Sequence, residues 1–324
     1  MVIDPTWTAC QAQDFRANSA HPAPLSASTD CGSHDRLGLT KRSGWCYVHP
    51  MIQLEEKPAP TGAVLPPPEG TVPDWSGKGK EQAVQRMFTA IARWYDLNNS
   101  LLSFGLHHRW KRRAVKYLFE PRASACGSRS GEVSAGPRYA LDIGAGTGDL
   151  ALLIHPHMGE EGRVAAVDLN QAMLREGVRK IAERGLHGHI TCLRANAEQL
   201  GFLDNSFDAV TTGFCIRNVS DLLGACAEIS RVLKPGGRFV CLEFSRPVRP
   251  WLLSLYDWYS FSLLPKIGTL VAHDKTGVYR YLPASIRAFP DQEGLKALLL
   301  KAGFRQVDYH NLSGGIVAIH VATK

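Results

Sequence analysis

A mainly parallel α/β sheet with helices on both faces is the fold class that this 324-residue sequence predicts. Three observations carry it. Five strand-like runs, at 139–143, 163–168, 189–194, 207–213 and 238–244, alternate with helix-like segments, the last of these stopped by "LKPGG" at 233–237. A glycine-rich turn in "LDIGAGTGDLALLI" joins the first strand to the next helix. Near the C-terminus two further strand-like runs flank Ser313, Gly314 and Gly315, which predicts an antiparallel hairpin at the sheet edge and seven strands in all.

Before the first strand the chain changes character twice. Residues 1–80 are rich in Pro, Gly, Ser and Thr, as in "KPAPTGAVLPPPEGTVPDWSGKGK", and are expected to be mostly disordered. Asp4, Asp14, Asp30 and Asp35 argue against reading this extension as an organellar transit peptide, and Met51 is an alternative beginning. From Glu81 the pattern turns helical, in "EQAVQRMFTAIARWYDLNNSLLSFGLHHRWKRRAVKYL". It is expected to break at "YDLNNSLLSFG", where a segment can fold over a site as a lid. A polar loop is expected at 126–137, ahead of the sheet.

With 44% hydrophobic residues the chain can bury a large core. Its net charge of +7 admits an anionic partner, yet the basic residues cluster only at "RWKRR", 109–113. That cluster reads as a solvated helix face or a contact with anionic lipid. Nucleic acid ranks last, since no aromatic-interleaved basic stripe or zinc spacing accompanies it. The eight cysteines, Cys10, Cys31, Cys46, Cys126, Cys192, Cys215, Cys226 and Cys241, form no C-x-x-C pair and read as thiols in a reducing compartment, with no metal site expected. Neither a stretch of about 20 apolar residues nor a secretory leader is evident.

The glycine turn carries the first chemistry. A dinucleotide fingerprint needs its third glycine five positions after the first, where this chain has Asp149; here the glycines are Gly144, Gly146 and Gly148. Backbone can still approach a ligand closely at Gly144 and Gly146, at the carboxyl end of the first strand. Asp168 ends the second strand, where its carboxylate can accept from both hydroxyls of a ribose; capping of the following helix is the competing use, which Asn170 serves equally well. At the end of the third strand Asn196 and Ala197 offer an amide and a backbone N–H to an adenine edge.

In the order and spacing of "LDIGAGTGD", "VDLN", "NAEQLGFLDNSFDAV" and "RVLKPGG" the chain resembles the class I S-adenosylmethionine-dependent methyltransferases, whose fold is Rossmann-like. Through "YDLNNSLLSFGLHHRWKR", "FCIRNV", "CLEFSRP" and "YRYLPASIRAFPDQEGLKALLLKAGF" it is similar to the ubiquinone/menaquinone biosynthesis C-methyltransferase family, over nearly all of 81–324. The resemblance implies S-adenosyl-L-methionine as cofactor and a polyprenylated quinol as substrate: demethylmenaquinol first, with 2-methoxy-6-polyprenyl-1,4-benzoquinol beside it. It places cofactor contacts on Thr147, Asp168, Asn196 and Ala197. Where the family commonly has a serine this chain has Gly213, which leaves a backbone contact there.

Methylation at carbon needs an electron-rich ring, so the reduced quinol is the expected substrate. Taking a phenol pKa near 10, about one molecule in a thousand is ionised at pH 7, and correcting this takes roughly 4 kcal/mol. A buried cation beside the oxygen supplies part of that. Arg217 in "CIRN" is the first candidate, in an electrostatic role, because a guanidinium is a poor base; a surface pair with Asp221 is its alternative. Asn218 is expected to fix a quinol oxygen or the cofactor's methionine part, or else to cap the next helix. Tyr95 is a candidate for contact with the cofactor or a quinol hydroxyl, and Asp96 for taking a proton or binding the cofactor ammonium; packing or capping are the competing uses. Asn99, Ser103 and His107 match the family pattern without an assigned role.

The segment "RPWLLSLYDWYSFSLLPKIGTLV", 249–271, is apolar and aromatic but interrupted by Asp257 and Pro265. Trp251, Tyr256, Trp258, Tyr259 and Phe261 are expected to line a channel for the substrate's tail, to rest at a bilayer interface, or to pack over the sheet. These readings suit a cytoplasmic protein peripheral at the inner face of a membrane, with the matrix side of the mitochondrial inner membrane as alternative, alone, as a homodimer or in a quinone-biosynthesis complex. A methyltransferase for another prenylated phenol or sterol, and a noncatalytic scaffold, are the rival functions.

Overall fold

The computed structural model describes residues 77–120, 137–259, 262 and 278–324. Expectations for 1–76, for the loop up to 136, for Phe261 and for 263–271 lie outside these residues. The described chain begins with three helices, α1 (Gly77–Ile91), α2 (Tyr95–Leu102) and α3 (Leu106–Phe119). The break expected at "YDLNNSLLSFG" comes one turn earlier: a 3₁₀ turn at Ala92–Trp94 separates α1 from α2, and "YDLNNSLL" is itself helical. The helix stops where Phe104 and Gly105 take positive φ, 49° and 74°.

The alternating core follows as β1 (Tyr139–Ile143), α4 (Asp149–Ile154), β2 (Arg163–Asp168), α5 (Gln171–Glu183), β3 (Ile190–Arg194) and β4 (Phe207–Gly213). A 3₁₀ turn at Ile216–Asn218 leads to α6 (Leu222–Val232) and β5 (Leu233–Phe244). Then come α7 (Pro250–Trp258), α8 (Val278–Ala288), α9 (Gln292–Lys301), β6 (Gln306–Leu312) and β7 (Val317–Thr323).

Seven strands form one sheet in the order β3-β2-β1-β4-β5-β7-β6. The first five run parallel, and β7 lies antiparallel to both β5 and β6, so the expected hairpin is present with β6 outermost. The strand order reverses beside β1, between β2 and β4, and there the carboxyl ends of neighbouring strands open a crevice. "LKPGG" does stop α6, but it is also taken into β5. Leu233 pairs with Phe207, and the ladder resumes with Arg238 opposite Ala209. Pro235 has no N–H for the ladder and Gly236 has φ 73°, which accounts for the bulge.

Successive strand residues face opposite sides of the sheet, and both sides are buried. On one side Ala140, Ala166, Ala209 and Val240 pack with Trp110, Ala114 and Leu118 of α3 and Leu150, Ala151 and Ile154 of α4. The other set, with Leu141, Val210 and Phe239 fully buried, is the face where α6 and α9 meet β5 and β7. Helices on both faces were the expectation. Arg238 also ties α3 to the sheet, donating to the carbonyls of Tyr117 and Glu120 at the helix end. "RWKRR" divides within α3: Trp110 and Lys111 are buried, while Arg109, Arg112 and Arg113 are exposed.

Candidate active site

Two cavities meet at the carboxyl rim of the sheet. The first is lined by Gly144, Gly146, Asp168, Asn196, Ala197 and Gly213, roofed by Glu81, Val84, Gln85 and Phe88 of α1, and reaches Tyr95, Phe214 and Asn218. The second is larger and mostly apolar, with Asn99, Ser103, His107, Trp110, Arg217, Phe244 and Tyr281 in its wall and Leu252, Leu255, Tyr256, Trp258 and Tyr259 at its α7 side. Phe88, Tyr95 and Phe214 line both, so they stand at the junction.

Local physics explains the cradle. Gly144 and Gly146 have φ of 65° and 56°, and a Cβ on Gly144 would lie 2.0 Å from the Cys215 sulfur. The turn therefore needs glycine for its conformation and for its fit against the chain after β4. Asp168 braces it: Oδ2 accepts from the Gly146 N–H at 2.9 Å, and Oδ1 from the Asn170 N–H at 2.7 Å. Burial raises the Asp168 carboxyl above its usual range, opposed by these backbone bonds. Helix capping falls to Asn170, whose side chain accepts from Met173 N–H. Each oxygen of Asp168 keeps a further lone pair for a ligand hydroxyl.

Asn196 accepts from the Glu198 N–H and, with Ala197, borders the same cavity. At Gly213 a Cβ would come 2.7 Å from the tip of Leu150, so the absent serine side chain is matched by a neighbour that occupies its space. Thr147 and Gly148 stand outside the lining of either cavity. The Thr147 hydroxyl instead donates to Asp96 at 2.7 Å, and Asp96 also lines neither cavity, being paired with Lys180. Tyr95 and Asp96 are neighbours on a helix, which sends their side chains about 100° apart; only Tyr95 enters the site.

Past the cradle the backbone is strained. Phe214 holds φ 56°, a conformation uncommon outside glycine, while its N–H is tied to the Leu242 carbonyl. The 3₁₀ turn that follows turns Arg217 inward. Its Nη1 donates to Glu243 Oε1 and to the Phe214 carbonyl, each at 2.7 Å, and the guanidinium lies 5.4 Å over the Phe244 ring. Arg217 is thus a buried ion-pair member rather than a surface partner of Asp221, because Asp221 caps α6 through the Gly224 N–H. That also removes helix capping from Asn218, whose side-chain oxygen accepts from the Tyr281 hydroxyl at 2.8 Å.

Burial raises the Tyr95 phenol, opposed by Lys111, Asn99 and Arg217. His107 is buried with Nδ1 2.8 Å from the Ser103 hydroxyl; burial, Lys111 and His108 lower it to about 4, which keeps it neutral. Of the cysteines described, Cys226 and Cys241 are buried, and burial pushes the Cys192 and Cys226 thiols up to about 12. They are inert at neutral pH.

Several partners here had escaped sequence reasoning. Glu243 stands in "CLEF", and a carboxylate at the end of an apolar central strand is a signal that a buried cation lies opposite it. Lys80 of α1 donates to the carbonyls of Arg217 and Val219, at 3.2 and 2.9 Å, so the roof helix grips the turn that carries Arg217. Tyr281, Lys111 and Lys180 arrive from distant segments, and no local pattern announces them.

Residues 77–324 match the model of the ubiE/COQ5 methyltransferase family. The ubiquinone/menaquinone biosynthesis C-methyltransferase of Legionella pneumophila is 44% identical over 251 residues, covering 78% of this chain and 94% of the relative. The enzyme of the same name from Yersinia enterocolitica is 46% identical over 241 residues, 74% of this chain and 90% of its own. Among solved structures, an S-adenosylmethionine-dependent methyltransferase of Thermotoga maritima superposes with a TM-score of 0.50 at 19% identity, over 74% of this chain and 99% of that one. That likeness supports the fold alone.

Proposed function

The chain belongs to the ubiE/COQ5 methyltransferase family, and from that premise we propose that its apolar cavity takes the head of a polyprenylated quinol, demethylmenaquinol first, while the glycine cradle holds the methyl donor. It is an S-adenosylmethionine-dependent C-methyltransferase of quinone biosynthesis. The observation that carries the finer reading is the meeting of a polar, glycine-lined cavity with a larger apolar one at Phe88, Tyr95 and Phe214.

The cradle fits S-adenosylmethionine. Gly144, Gly146 and Gly213 give it bare backbone, Asp168 two acceptors for ribose hydroxyls, and Asn196 and Ala197 an amide and an N–H for adenine. When bound there, the cofactor supplies an electrophilic sulfonium methyl. The phenol proton passes to water while Arg217 holds the quinol oxygen as negative charge grows on it and Glu243 fixes the guanidinium in place. After methyl transfer the ring proton leaves the carbon and the phenol is restored by tautomerisation. Tyr95 orients the ring from the junction, and Asn218, itself held by Tyr281, approaches it from the wall of the glycine-lined cavity. Apolar walls exclude water from the electron-rich carbon. Thr147, Gly148 and Asp96 support the turn from behind.

Methyl-labelled S-adenosylmethionine, purified protein and each of the two reduced quinols test this. Label is expected on a ring carbon of demethylmenaquinol in the lipid fraction. No label with either quinol, from folded protein that binds S-adenosylhomocysteine, would move the acceptor to another prenylated phenol or the protein to a scaffold.

The polyprenyl tail has to leave the cavity, and its mouth suggests where. Phe104, Leu106, Leu255 and Trp258 line the cavity and are also exposed to solvent, Phe104 at 85%. Trp94, Leu97 and Trp251 are likewise exposed. No described helix is long and apolar enough to cross a membrane. An aromatic rim of this kind suits the bilayer interface, with the tail remaining in lipid. Flotation with anionic vesicles is expected to carry the protein upward, and Trp258→Glu to reduce the floated fraction severalfold. Protein that stays at the bottom of the gradient with or without quinol in the vesicles would sink this contact.

A further inference from the structure

Under the glycine turn lies a charged cluster that neither cavity uses. Lys111 of α3 donates to Asp149 Oδ2 at 2.8 Å, and Lys180 of α5 donates to the other oxygen of the same carboxylate. Lys180 also reaches Asp96 Oδ2 at 2.9 Å and the Thr147 hydroxyl at 3.2 Å, and that hydroxyl donates to Asp96 Oδ1. Two ammonium groups thus meet two carboxylates, and the cluster is neutral as a whole. Burial acts to raise the Asp149 carboxyl, but Lys111 and Lys180 outweigh it and hold it well below the usual range.

The members differ in freedom. Lys111, Lys180 and Asp149 have side chains no more than 19% exposed, whereas that of Asp96 is 41% exposed. α3 is locked into the core by Trp110, Ala114 and Leu118. Asp96 rides on the short helix α2, bounded by the 3₁₀ turn at Ala92–Trp94 and by the positive φ of Phe104 and Gly105. Lys180 is fixed by Asp149 whether or not Asp96 is present, while α2 meets the turn through Asp96.

We propose that Lys180, held in place by Asp149 and Lys111, is a latch that closes α2 on the glycine turn through Asp96. Its consequence is positional: Tyr95, the next residue, is seated at the junction of the two cavities. Lys180 and Asp96 are positioning residues, acting through Tyr95 and the turn. This rests on the cradle being the cofactor site. A donor that binds only the closed form loses apparent affinity in proportion to the closed fraction.

Lys180→Met and Asp96→Asn, singly and together, in the full chain, test the latch. In the first Lys111 still neutralises Asp149 and Asp96 is open to water, and in the second Lys180 keeps Asp149, so both variants are expected to keep the wild-type melting temperature within a few degrees. Amide hydrogen exchange over residues 92–106, without ligand, is expected to quicken about tenfold in each single variant. Calorimetry with S-adenosylhomocysteine is expected to show binding weakened about three- to tenfold, with the double variant no worse than the worse single one. Lys180→Arg is expected to restore both readings. Unchanged exchange at 92–106 would overturn the latch. So would losses of affinity that multiply in the double variant, since Asp96 would then be acting on the ligand directly. Wild-type protein that fails to bind S-adenosylhomocysteine would overturn the cofactor site instead, leaving the exchange data to judge the latch.

Discussion

Arg217→Ala is expected to lower kcat by about 10²- to 10³-fold, the cost of removing one preorganised donor from a developing oxyanion, while affinity for S-adenosylhomocysteine stays within about threefold. The asymmetry follows from placement, because Arg217 borders the apolar cavity and is absent from the wall of the glycine-lined one. The same change strands Glu243, a buried carboxylate whose ion-pair partner is Arg217. Breaking a buried pair costs about 3–5 kcal/mol, so Arg217→Ala is also expected to melt at a lower temperature. The double variant Arg217→Met/Glu243→Gln separates the two effects: melting temperature should recover and turnover should not. Recovery of turnover along with stability would reduce Arg217 to a structural role.

Asp168→Ala is expected to do the reverse, weakening S-adenosylhomocysteine by about 10²-fold with a small effect on kcat at saturating cofactor. Charge-assisted hydrogen bonds contribute about 1.5–3 kcal/mol each, and two ribose hydroxyls are at stake. Part of the loss comes from the protein itself, since the Gly146 N–H and the Asn170 N–H both give up their acceptor. Asp168→Asn keeps one acceptor oxygen and sets an NH2 donor in place of the other, and is expected to fall between. Calorimetry that finds affinity lost in the Arg217 variant and kept in the Asp168 variant would exchange the two assignments.

Local pattern made the cradle legible. Gly144 and Gly146 are demanded by turn geometry, Asp168 and Asn196 stand at strand ends, and strand ends in a parallel sheet gather on one rim. Asn218 and Arg217 were legible as residues of that rim, but their partners were not. Asn218 meets Tyr281 across 63 positions, and Arg217 meets Glu243 across 26. Asp96 shows the limit within a single turn of helix. Its neighbour Tyr95 reaches the site and Asp96 reaches Thr147, a distinction set by how α2 is rotated against the turn.

By itself the sequence determined the strands, their alternation with helices, the glycine cradle and the family, because each depends on short-range preferences or on motifs read in order. The tertiary structure alone decided which charges are paired. Glu243 against Arg217, and Lys111 and Lys180 around Asp149, come from different elements. A side chain that stays charged when buried is stabilised by an opposite charge within hydrogen-bonding distance, and for these two clusters that neighbour is chosen by packing rather than by position along the sequence.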